Sequence, residues 1–472
     1  MNKELTLEDV KGFEKDFDKN GSLKISKNAV MRNGVFNAAF DSEETRNVPF
    51  TFSNEVKDIG SITNQKQSGR CWMFSGLNVL RIQAMKKLHV KDLELSESYL
   101  MFWDKLEKSN YQLECVLDTL DEPDNSRVFD TVIVSGGQQD GGFWAFFTAL
   151  VKKYGVCPKS VMPETIPSSA SNEMDVVLNY KLAQFSSKLR ADHRAGVSLD
   201  DLRKEKEAML SEIYKVLTIC LGKPVDTFTY EWKATPEPKK DEEKKDVEKK
   251  EEPKEKWESF TGTPKEFYDK FIGLDLDEYI VLTHAPARGF EEGKNYAVEY
   301  ALNVVGTPLH SFVTVSLETL KKAAIDSIKD DQAMWFDCDV TALSMRKEGF
   351  LDDKVLDLTD LFQSDFEFDK GESLIFRNTA ANHAMTLVGV NLVDGKPNRW
   401  KVENSWGKDV GDGGIFVMSD SWFDKFVYGL VVNKKYLPEE VVEASKQEPI
   451  MLPAWSVAVS YTHLTLPTNS LV

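Results

Sequence analysis

Hydrophobic residues in the first half of the chain recur at the spacing of helices. Within "CWMFSGLNVLRIQAMKKL" they recur every three or four positions, at Met73, Leu77, Leu80 and Ala84. Basic residues gather near its end, where a helix dipole favours cations, so we predict a helix from Cys71 to Leu88. "ELSESYLMFWDKLEK" predicts the start of a second helix, and residues 140–155 predict a glycine loop, a buried helix and a capping glycine. Further helical patterns cover residues 171–232.

The second half changes to short runs of β-branched and aromatic residues between turn residues, a pattern typical of strands. The runs are "YAVEYALNVV", "SFVTVS", "AMWFDCDV", "ESLIFRN", "HAMTLVGVNL" and "RWKVENSWG". A helical half followed by a sheet half predicts an α+β protein with a cleft between two lobes.

The segment "DFDKNGSLKISK" near the N-terminus has the initial spacing of a calcium-binding loop. Its twelfth position is Lys27, where such a loop needs a bidentate glutamate, and a cation there opposes calcium. We therefore expect a solvated turn and no metal site, because Asp, Asn and Gly also cluster in turns for local reasons.

Charge and hydropathy narrow the classes of function. The chain carries 59 basic and 77 acidic side chains, a net charge of −18 that repels phosphate backbones. Nucleic acid is therefore not expected as a main partner. No apolar run reaches the length that spans a bilayer, and the N-terminus lacks the pattern of a signal peptide. We expect a cytoplasmic protein without a membrane partner.

The five cysteines are scattered, odd in number and without CxxC pairing: Cys71, Cys115, Cys157, Cys220 and Cys338. This pattern fits neither a disulfide framework nor a zinc site. Cys71 stands apart because it lies at the predicted N-terminus of a helix, where backbone N–H groups favour the thiolate form. The other four are expected to be inert, mostly buried thiols.

A base for this thiol is available later in the chain. His383 begins an apolar strand in "NHAMTLVGV", and Asn404 follows within "ENSWG". The histidine can hold an ion pair with the thiolate and protonate a leaving amine, while the asparagine carbonyl orients the ring. Trp406 can shield that hydrogen bond. The backbone N–H of Cys71 and the side-chain amide of Gln65 can donate to an oxyanion.

These motifs carry a family resemblance. "NQKQSGRCWMFS", "DGGFWAF", "NHAMTLVGV" and "VENSWG" resemble the papain-like cysteine peptidases. "LSESYLMFWDKLEKSNYQLE", "TPKEFYDKF", "WFDCDV" and "EPIMLPAW" are similar to the bleomycin hydrolase and aminopeptidase C branch in particular. The resemblance runs from about residue 25 to Trp455 and implies an α+β, papain-like, two-lobed fold. Such a fold pairs a helical lobe with an antiparallel β-sheet or barrel lobe, here with helical insertions.

By the same resemblance, the expected catalytic residues are Gln65, Cys71, His383 and Asn404. The expected substrate-binding residues are Asp140, Gly141, Gly142 and Trp406. The resemblance also implies a metal-independent, intracellular peptidase without a cofactor. Its subunits would form a homohexamer whose active sites face an internal chamber.

Composition and motifs together predict four segments. Residues 1–170 form an N-terminal arm and the helical lobe with the nucleophile, and residues 171–275 form a helical insertion. Within the insertion, residues 235–256 are highly charged and lack apolar side chains, so they are expected to be a mobile loop. Residues 276–455 form the β-rich lobe, and residues 456–472 form an atypical tail.

The tail is where the sequence departs from the family pattern. Relatives end soon after this tryptophan in a small-residue tail whose terminal carboxylate meets the free amine of the substrate. Here Trp455 is followed by "SVAVSYTHLTLPTNSLV". A longer, unrelated end puts that way of anchoring the amine in doubt.

The leading hypothesis is an intracellular cysteine aminopeptidase that removes N-terminal residues from short peptides through a thioester, and that can also hydrolyse bleomycin-like amides. Two alternatives remain. The same Cys-His-Asn site can act as an endopeptidase or acyl transferase if the altered tail no longer restricts it. The chain can instead be a hexameric, chambered binding or scaffold protein.

Overall fold

The computed structural model describes residues 3–235 and 255–457. The predicted mobile loop at 235–256 and the predicted tail at 456–472 therefore lie almost entirely outside the described residues. His463, to which no role was assigned, lies outside them as well.

The helices come mainly from the first half of the chain. They are α1 (Leu7–Lys19), α2 (Gly21–Asn33), α3 (Val35–Ala39), α4 (Cys71–Leu88), α5 (Glu97–Asp118), α6 (Trp144–Tyr154), α7 (Ile166–Ser169), α8 (Asn172–Arg194), α9 (Leu199–Leu221), α10 (Pro264–Phe271), α11 (Leu317–Lys329), α12 (Leu358–Phe362), α13 (Lys370–Ile375), α14 (Asp420–Phe426) and α15 (Glu439–Ser445). A π-helical segment spans Phe129–Val134. Across the described ranges, no helix combines the length and the hydropathy needed to cross a membrane.

Most strands come from the second half. They are β1 (Asn54–Glu55), β2 (Phe228–Ala234), β3 (Lys256–Gly262), β4 (Tyr279–Thr283), β5 (Asn295–Val298), β6 (Ser311–Thr314), β7 (Met334–Cys338), β8 (Ser344–Met345), β9 (Phe350–Leu351), β10 (His383–Val393), β11 (Lys396–Glu403), β12 (Ile415–Ser419), β13 (Val427–Asn433) and β14 (Ile450–Leu452). β2 and β3 pair with each other, and the others form one large sheet in the order β14-β5-β6-β4-β13-β7-β10-β11-β12-β9-β8, with β1 added to β10.

The mixed α+β class is confirmed, and so are the helices predicted around the candidate nucleophile. Helix α4 has the predicted bounds. Ser96 caps α5 by accepting a hydrogen bond from the Tyr99 amide, at the Ser-x-x-Tyr entry. Helix α6 ends at Gly155, whose φ of 72° is the left-handed conformation that glycine adopts without strain.

Two strand predictions need correction. "ESLIFRN" is wrong as a strand, because its first half belongs to helix α13. Asp369 caps that helix by accepting from the Glu372 amide, and the run contains one β-branched residue, so local capping outweighs its weak strand character. "YAVEYALNVV" is a strand only as far as Val298, because Tyr300 has a φ of 59° and turns the chain.

The calcium-like segment is a junction between two helices. Asp16 and Asp18 lie inside α1, and the turn is reduced to Asn20, whose side chain caps α2 by accepting from the Ser22 amide. Neither helix has a buried residue. In the described ranges, no group of His, Cys, Asp or Glu residues is arranged to hold a metal ion.

Strand β10 lies between two hydrophobic cores and supplies side chains to both. Ala384 and Val388 belong to the core built with α4, α5 and α6. Met385, Leu387 and Val390 belong to the core built with α11 and α14. From Ala384 to Val388 this alternation follows from the two-residue period of a strand, and the irregular register between Leu387 and Gly389 places Val390 in the second core. Both faces of the sheet are thus covered with helices.

A buried ion pair joins α4 to the end of β11. The Arg81 guanidinium donates to the Glu403 carboxylate, and both side chains are 1% exposed or less. Arg81 also donates to the Ser61 carbonyl at 2.6 Å. Burial raises the pKa of Glu403 to about 7, although the Arg81 charge opposes this shift. Because Asn404 follows Glu403 directly, the pair fixes a candidate site residue relative to the helix of Cys71.

Replacing Arg81 with Met should lower the free energy of unfolding by about 3–5 kcal/mol, because it leaves a buried carboxylate without its cation. The loss should shrink as the pH falls towards about 7, because Glu403 without Arg81 has a pKa above that of the paired carboxyl and takes up its proton in the folded state at a higher pH. Urea unfolding at several pH values measures both effects.

The double variant Arg81→Met/Glu403→Leu is the matched control. It removes both charges and should cost less than the single variant. An equal loss in the two proteins would show that the charge pairing contributes nothing.

Candidate active site

Cys71 is the first residue of α4, and its side chain lies against the sheet. Cys71 is only 4% exposed, and its Sγ accepts a hydrogen bond from the Ala384 amide at 3.5 Å. The first turn of α4 contains no acidic side chain. The sulfur therefore lies at the positive end of a helix dipole and beside the residue that follows His383.

His383 and Asn404 lie at the same end of neighbouring strands. His383 begins β10, and Asn404 follows the last residue of β11, its antiparallel neighbour. The Asn404 side-chain oxygen is 2.9 Å from His383 Nε2 and also accepts from the Ser405 amide at 2.8 Å. Both residues are buried. The hydrogen bond holds the imidazole ring in one orientation and leaves Nδ1 on the opposite edge.

The environment of His383 favours the neutral imidazole. Burial lowers the pKa of His383 to about 4, the hydrogen bond to Asn404 opposes this shift, and the positive charge of Arg346 adds to it. The ring of Trp406 lies over the imidazole, with ring centres 4.8 Å apart. A negative charge is therefore needed nearby for the imidazolium to persist at neutral pH.

Gln65 is tied to the segment that carries Asn404. Its backbone N–H donates to the Ser405 carbonyl at 2.8 Å, and its side-chain oxygen accepts from the Ser405 hydroxyl at 2.7 Å. Its Nε2 donates to the Ser68 carbonyl at 2.7 Å. An amide nitrogen carries two hydrogens, so this group can also donate to a second acceptor.

Asp140 is held by partners inside the protein. Its carboxylate forms an ion pair with Lys105 at 2.7 Å, accepts from the Gly69 amide at 2.7 Å, and accepts from the Ser171 hydroxyl. Its backbone carbonyl accepts from the Trp72 indole at 2.6 Å. Burial acts to raise the pKa of Asp140, but Lys105 and these hydrogen bonds outweigh it and keep the pKa below its usual range.

Asp140 therefore holds the Gly69 backbone and the Trp72 side chain, which lie on either side of Cys71 in the sequence, a role that the sequence did not predict. Its contact with substrate stays a prediction. The sequence indicated that Lys105 is a buried, paired charge. It is a lysine on the apolar face of an aromatic-rich helix, where an isolated charge is costly.

The two glycines after Asp140 pack closely against the protein. The Gly141 carbonyl accepts from Lys108 Nζ at 2.7 Å. A Cβ added to Gly142 would lie 2.6 Å from the Trp72 ring. Close packing thus explains the glycine at 142, and the predicted substrate contact of this loop remains a prediction.

Val457, the last described residue, lines a small cavity near the residues that precede His383. The cavity has a volume of about 50 Å³, and its wall includes Val457, Phe143, His310 and Ala381. The Trp455 ring packs under the Arg127 guanidinium at 4.5 Å, and the Trp455 carbonyl accepts from Arg377 at 2.9 Å. Residues 454–457 thus run from the glycine loop, where Ala454 lines a cavity with Gly141, to the residues that precede His383.

The remaining cysteines are poor nucleophiles. Cys115, Cys157 and Cys338 are buried and Cys220 is partly buried. Burial raises the pKa of Cys115 to about 12 and shifts the pKa values of the other three in the same direction. Their thiols stay protonated at neutral pH, as expected from the sequence.

The chain matches known proteins over nearly its full length. The family model described as Peptidase C1-like family matches residues 4–458. Aminopeptidase C of Listeria monocytogenes serovar 1/2a is 39% identical over 456 residues, covering 96% of this chain and 98% of that protein. Aminopeptidase G of Lactobacillus delbrueckii subsp. lactis is 38% identical over 455 residues, covering 96% and 99%. The crystal structure of PepW from Lactobacillus rhamnosis HN001 superposes with a TM-score of 0.90 at 39% identity, covering 97% of this chain and 99% of that one.

Replacing Asp140 with Asn should slow alkylation of Cys71 by iodoacetamide severalfold and should destabilise the fold, because the Lys105 ion pair and the anchor of Gly69 are weakened together. Asp175→Asn is the matched control: Asp175 also pairs with Lys105, at 2.6 Å. It should change stability and leave the alkylation rate near that of the unaltered protein. Equal slowing in both variants would contradict a positioning role for Asp140.

Replacing Cys71 with Ala should leave His383 with a pKa below its usual range, because burial favours the neutral ring. In the unaltered protein, a thiolate at Cys71 should hold the pKa of the imidazole above its value in the variant. In the variant, stability should fall as the pH drops from 6.5 towards 4, because the unfolded chain then binds the proton and the buried ring does not. NMR titration of the imidazole separates the two cases, and identical titration curves would argue against an ion pair.

Proposed function

Because the chain belongs to the Peptidase C1-like family, we propose that Cys71, His383 and Asn404 are the catalytic residues of its reaction. The chain is a cysteine-type aminopeptidase, in keeping with its named relatives. The observation that supports the catalytic assignment most directly is the convergence of three element ends. The N-terminus of α4, the start of β10 and the end of β11 meet, and each contributes one of the three residues.

In the first half of the reaction, the Cys71 thiolate attacks the carbonyl carbon of the first peptide bond. The carbonyl oxygen becomes an oxyanion, which accepts hydrogen bonds from the Cys71 backbone N–H and from Gln65 Nε2. His383 then gives its proton to the leaving nitrogen, the C–N bond breaks, and the N-terminal residue stays bound as a thioester.

In the second half, His383 takes a proton from water while the water oxygen attacks the thioester carbonyl. The C–S bond breaks, the N-terminal residue leaves as a free amino acid, and the sulfur returns to the thiolate form paired with the imidazolium. Asn404 keeps the ring in the orientation that serves both proton transfers, and Trp406 keeps water away from their hydrogen bond.

The segment at residues 454–457 supports cleavage at the N-terminus. It runs between the glycine loop and the residues before His383, and Val457 lines a small cavity together with Ala381. A wall at this position leaves little room for residues that precede the acylated one. A substrate with a free N-terminus next to the cleaved bond would fit, and a longer N-terminal extension would meet the wall.

The finer properties expected from the sequence belong to the same proposal. We propose a two-lobed, papain-like arrangement in which Cys71 comes from the helical lobe and His383 from the β-rich lobe. We also propose an intracellular, cytoplasmic enzyme that works as a homohexamer, cleaves short peptides and also accepts bleomycin-like amides.

The competing functions differ in which substrate acylates the cysteine, in which nucleophile cleaves the thioester, and in whether the thioester forms at all. An endopeptidase with the same residues would cleave N-blocked peptides, and an acyl transferase would pass the acyl group to an added amine. A chambered scaffold would show slow and unselective labelling of its cysteines.

Cys71→Ala should reduce hydrolysis of an aminoacyl-coumarin substrate by at least about a thousandfold while leaving the fold intact, because no other residue supplies the nucleophile. The unaltered protein should hydrolyse peptides with a free N-terminus and leave their N-acetylated counterparts intact. Steady-state kinetics on the matched pair and circular dichroism of the variant provide the measurements.

Cys115→Ala is the control, because it removes a buried thiol outside the site. It should keep full activity. Hydrolysis that survives in Cys71→Ala would remove the catalytic assignment, and hydrolysis of the acetylated peptide would favour the endopeptidase.

A further inference from the structure

The hairpin of β8 and β9 is fixed against the turn that follows Trp406. Its loop is closed by a hydrogen bond from the Gly349 amide to the Met345 carbonyl at 2.8 Å. The Lys347 carbonyl accepts from the Gly411 amide at 2.9 Å, and a Cβ added to Gly349 would lie 2.5 Å from the Gly411 Cα. The loop therefore lies against the turn that follows Trp406, the residue whose ring covers His383.

Arg346 lies in this loop and is half-buried. Within the described ranges, its guanidinium has neither a hydrogen-bond acceptor nor a carboxylate partner, unlike Arg70, Arg81 and Arg190, which are all paired. Burial is the main cause of the lowered pKa of His383, and the nearby positive charge of Arg346 adds to it. A half-buried guanidinium without a protein anion keeps its donors available, and a ligand carboxylate can accept from two of them at once.

The proposed reaction places the leaving portion of the substrate on the side of the β8–β9 loop. His383 protonates the leaving nitrogen, so the leaving portion of the peptide lies over His383 and Trp406, towards the β8–β9 loop. The net charge of −18 repels anions over most of the surface, so a carboxylate on the leaving portion would need a local cation.

We propose that Arg346 is a specificity-determining residue that binds a carboxylate on the leaving portion of the substrate. The carboxylate has two sources: the free C-terminus of a dipeptide, or an acidic side chain on the second residue of a longer peptide. This inference rests on the proposed function, because it needs a leaving portion next to His383. A contact between Arg346 and the C-terminal carboxylate would favour short peptides. This selectivity is independent of residues 454–457, which act on the N-terminal side of the substrate.

The test uses two matched pairs of substrates. Alanyl-alanine and its C-terminal amide differ only in the free carboxylate. The amides of alanyl-glutamate and alanyl-glutamine differ only in the charge of the second side chain. The proteins are the unaltered chain, Arg346→Gln, Arg346→Lys, and the control Lys347→Gln, which removes an exposed charge from the next position.

The unaltered protein should prefer the carboxylate member of at least one pair by about threefold to tenfold in kcat/KM, the range of a partly exposed ion pair. Arg346→Gln should abolish that preference, mainly through KM, and Arg346→Lys should retain part of it. Lys347→Gln should keep it. The preference should also weaken as salt is added, because screening reduces the attraction.

The pair that shows the preference identifies the source of the carboxylate. Equal kcat/KM values within both pairs for the unaltered protein, or an unchanged preference in Arg346→Gln, would overturn the role of Arg346 and leave the aminopeptidase assignment standing. Failure of the unaltered protein to hydrolyse any of the four substrates would instead count against the proposed function itself.

Discussion

The packing of helix α4 against strand β10 is the constraint on which the site depends. The helix delivers a sulfur atom at its positive end, and the strand delivers an imidazole at its first residue. Neither group is reactive alone, because a buried imidazole stays neutral and a thiol without a base stays protonated. The Ser75 hydroxyl donates to the Met385 carbonyl at 2.7 Å, and the Trp335 indole donates to the Trp72 carbonyl at 3.0 Å. These two bonds fix the start of the helix to strands β10 and β7.

Buried charges extend this constraint. Arg81 and Glu403 connect the middle of α4 to the strand end that precedes Asn404, and Lys105 and Asp140 hold the backbone around Cys71. Such pairs are costly to bury and stabilise only in the complete arrangement. They therefore favour one relative placement of helix, strand and loop over near alternatives, which a purely apolar core specifies less sharply.

The sequence predicted the local parts of this arrangement better than the long-range ones. Helix α4 was predicted residue by residue, because its apolar period and its flanking residues agree. "ESLIFRN" failed because capping by Asp369 outweighed a short apolar run, and short runs do not distinguish strand from helix. The grouping of Cys71, His383 and Asn404 came from motifs. The roles of Ser171, Ser405 and Arg81 could not be predicted, because their contacts span long stretches of chain. For Lys105, the sequence indicated a buried charge but not its partner.

The close packing of Gly142 on Trp72 has a consequence for how the protein can diverge. A larger residue at 142 would press on the indole, and the indole-bearing residue is joined both to Asp140 and to the sheet through Trp335. The glycine loop is thus bound into the interior and tolerates little change. New preferences can arise more freely at exposed positions of the β8–β9 loop, such as Lys347 and Glu348, which can vary without disturbing the nucleophile.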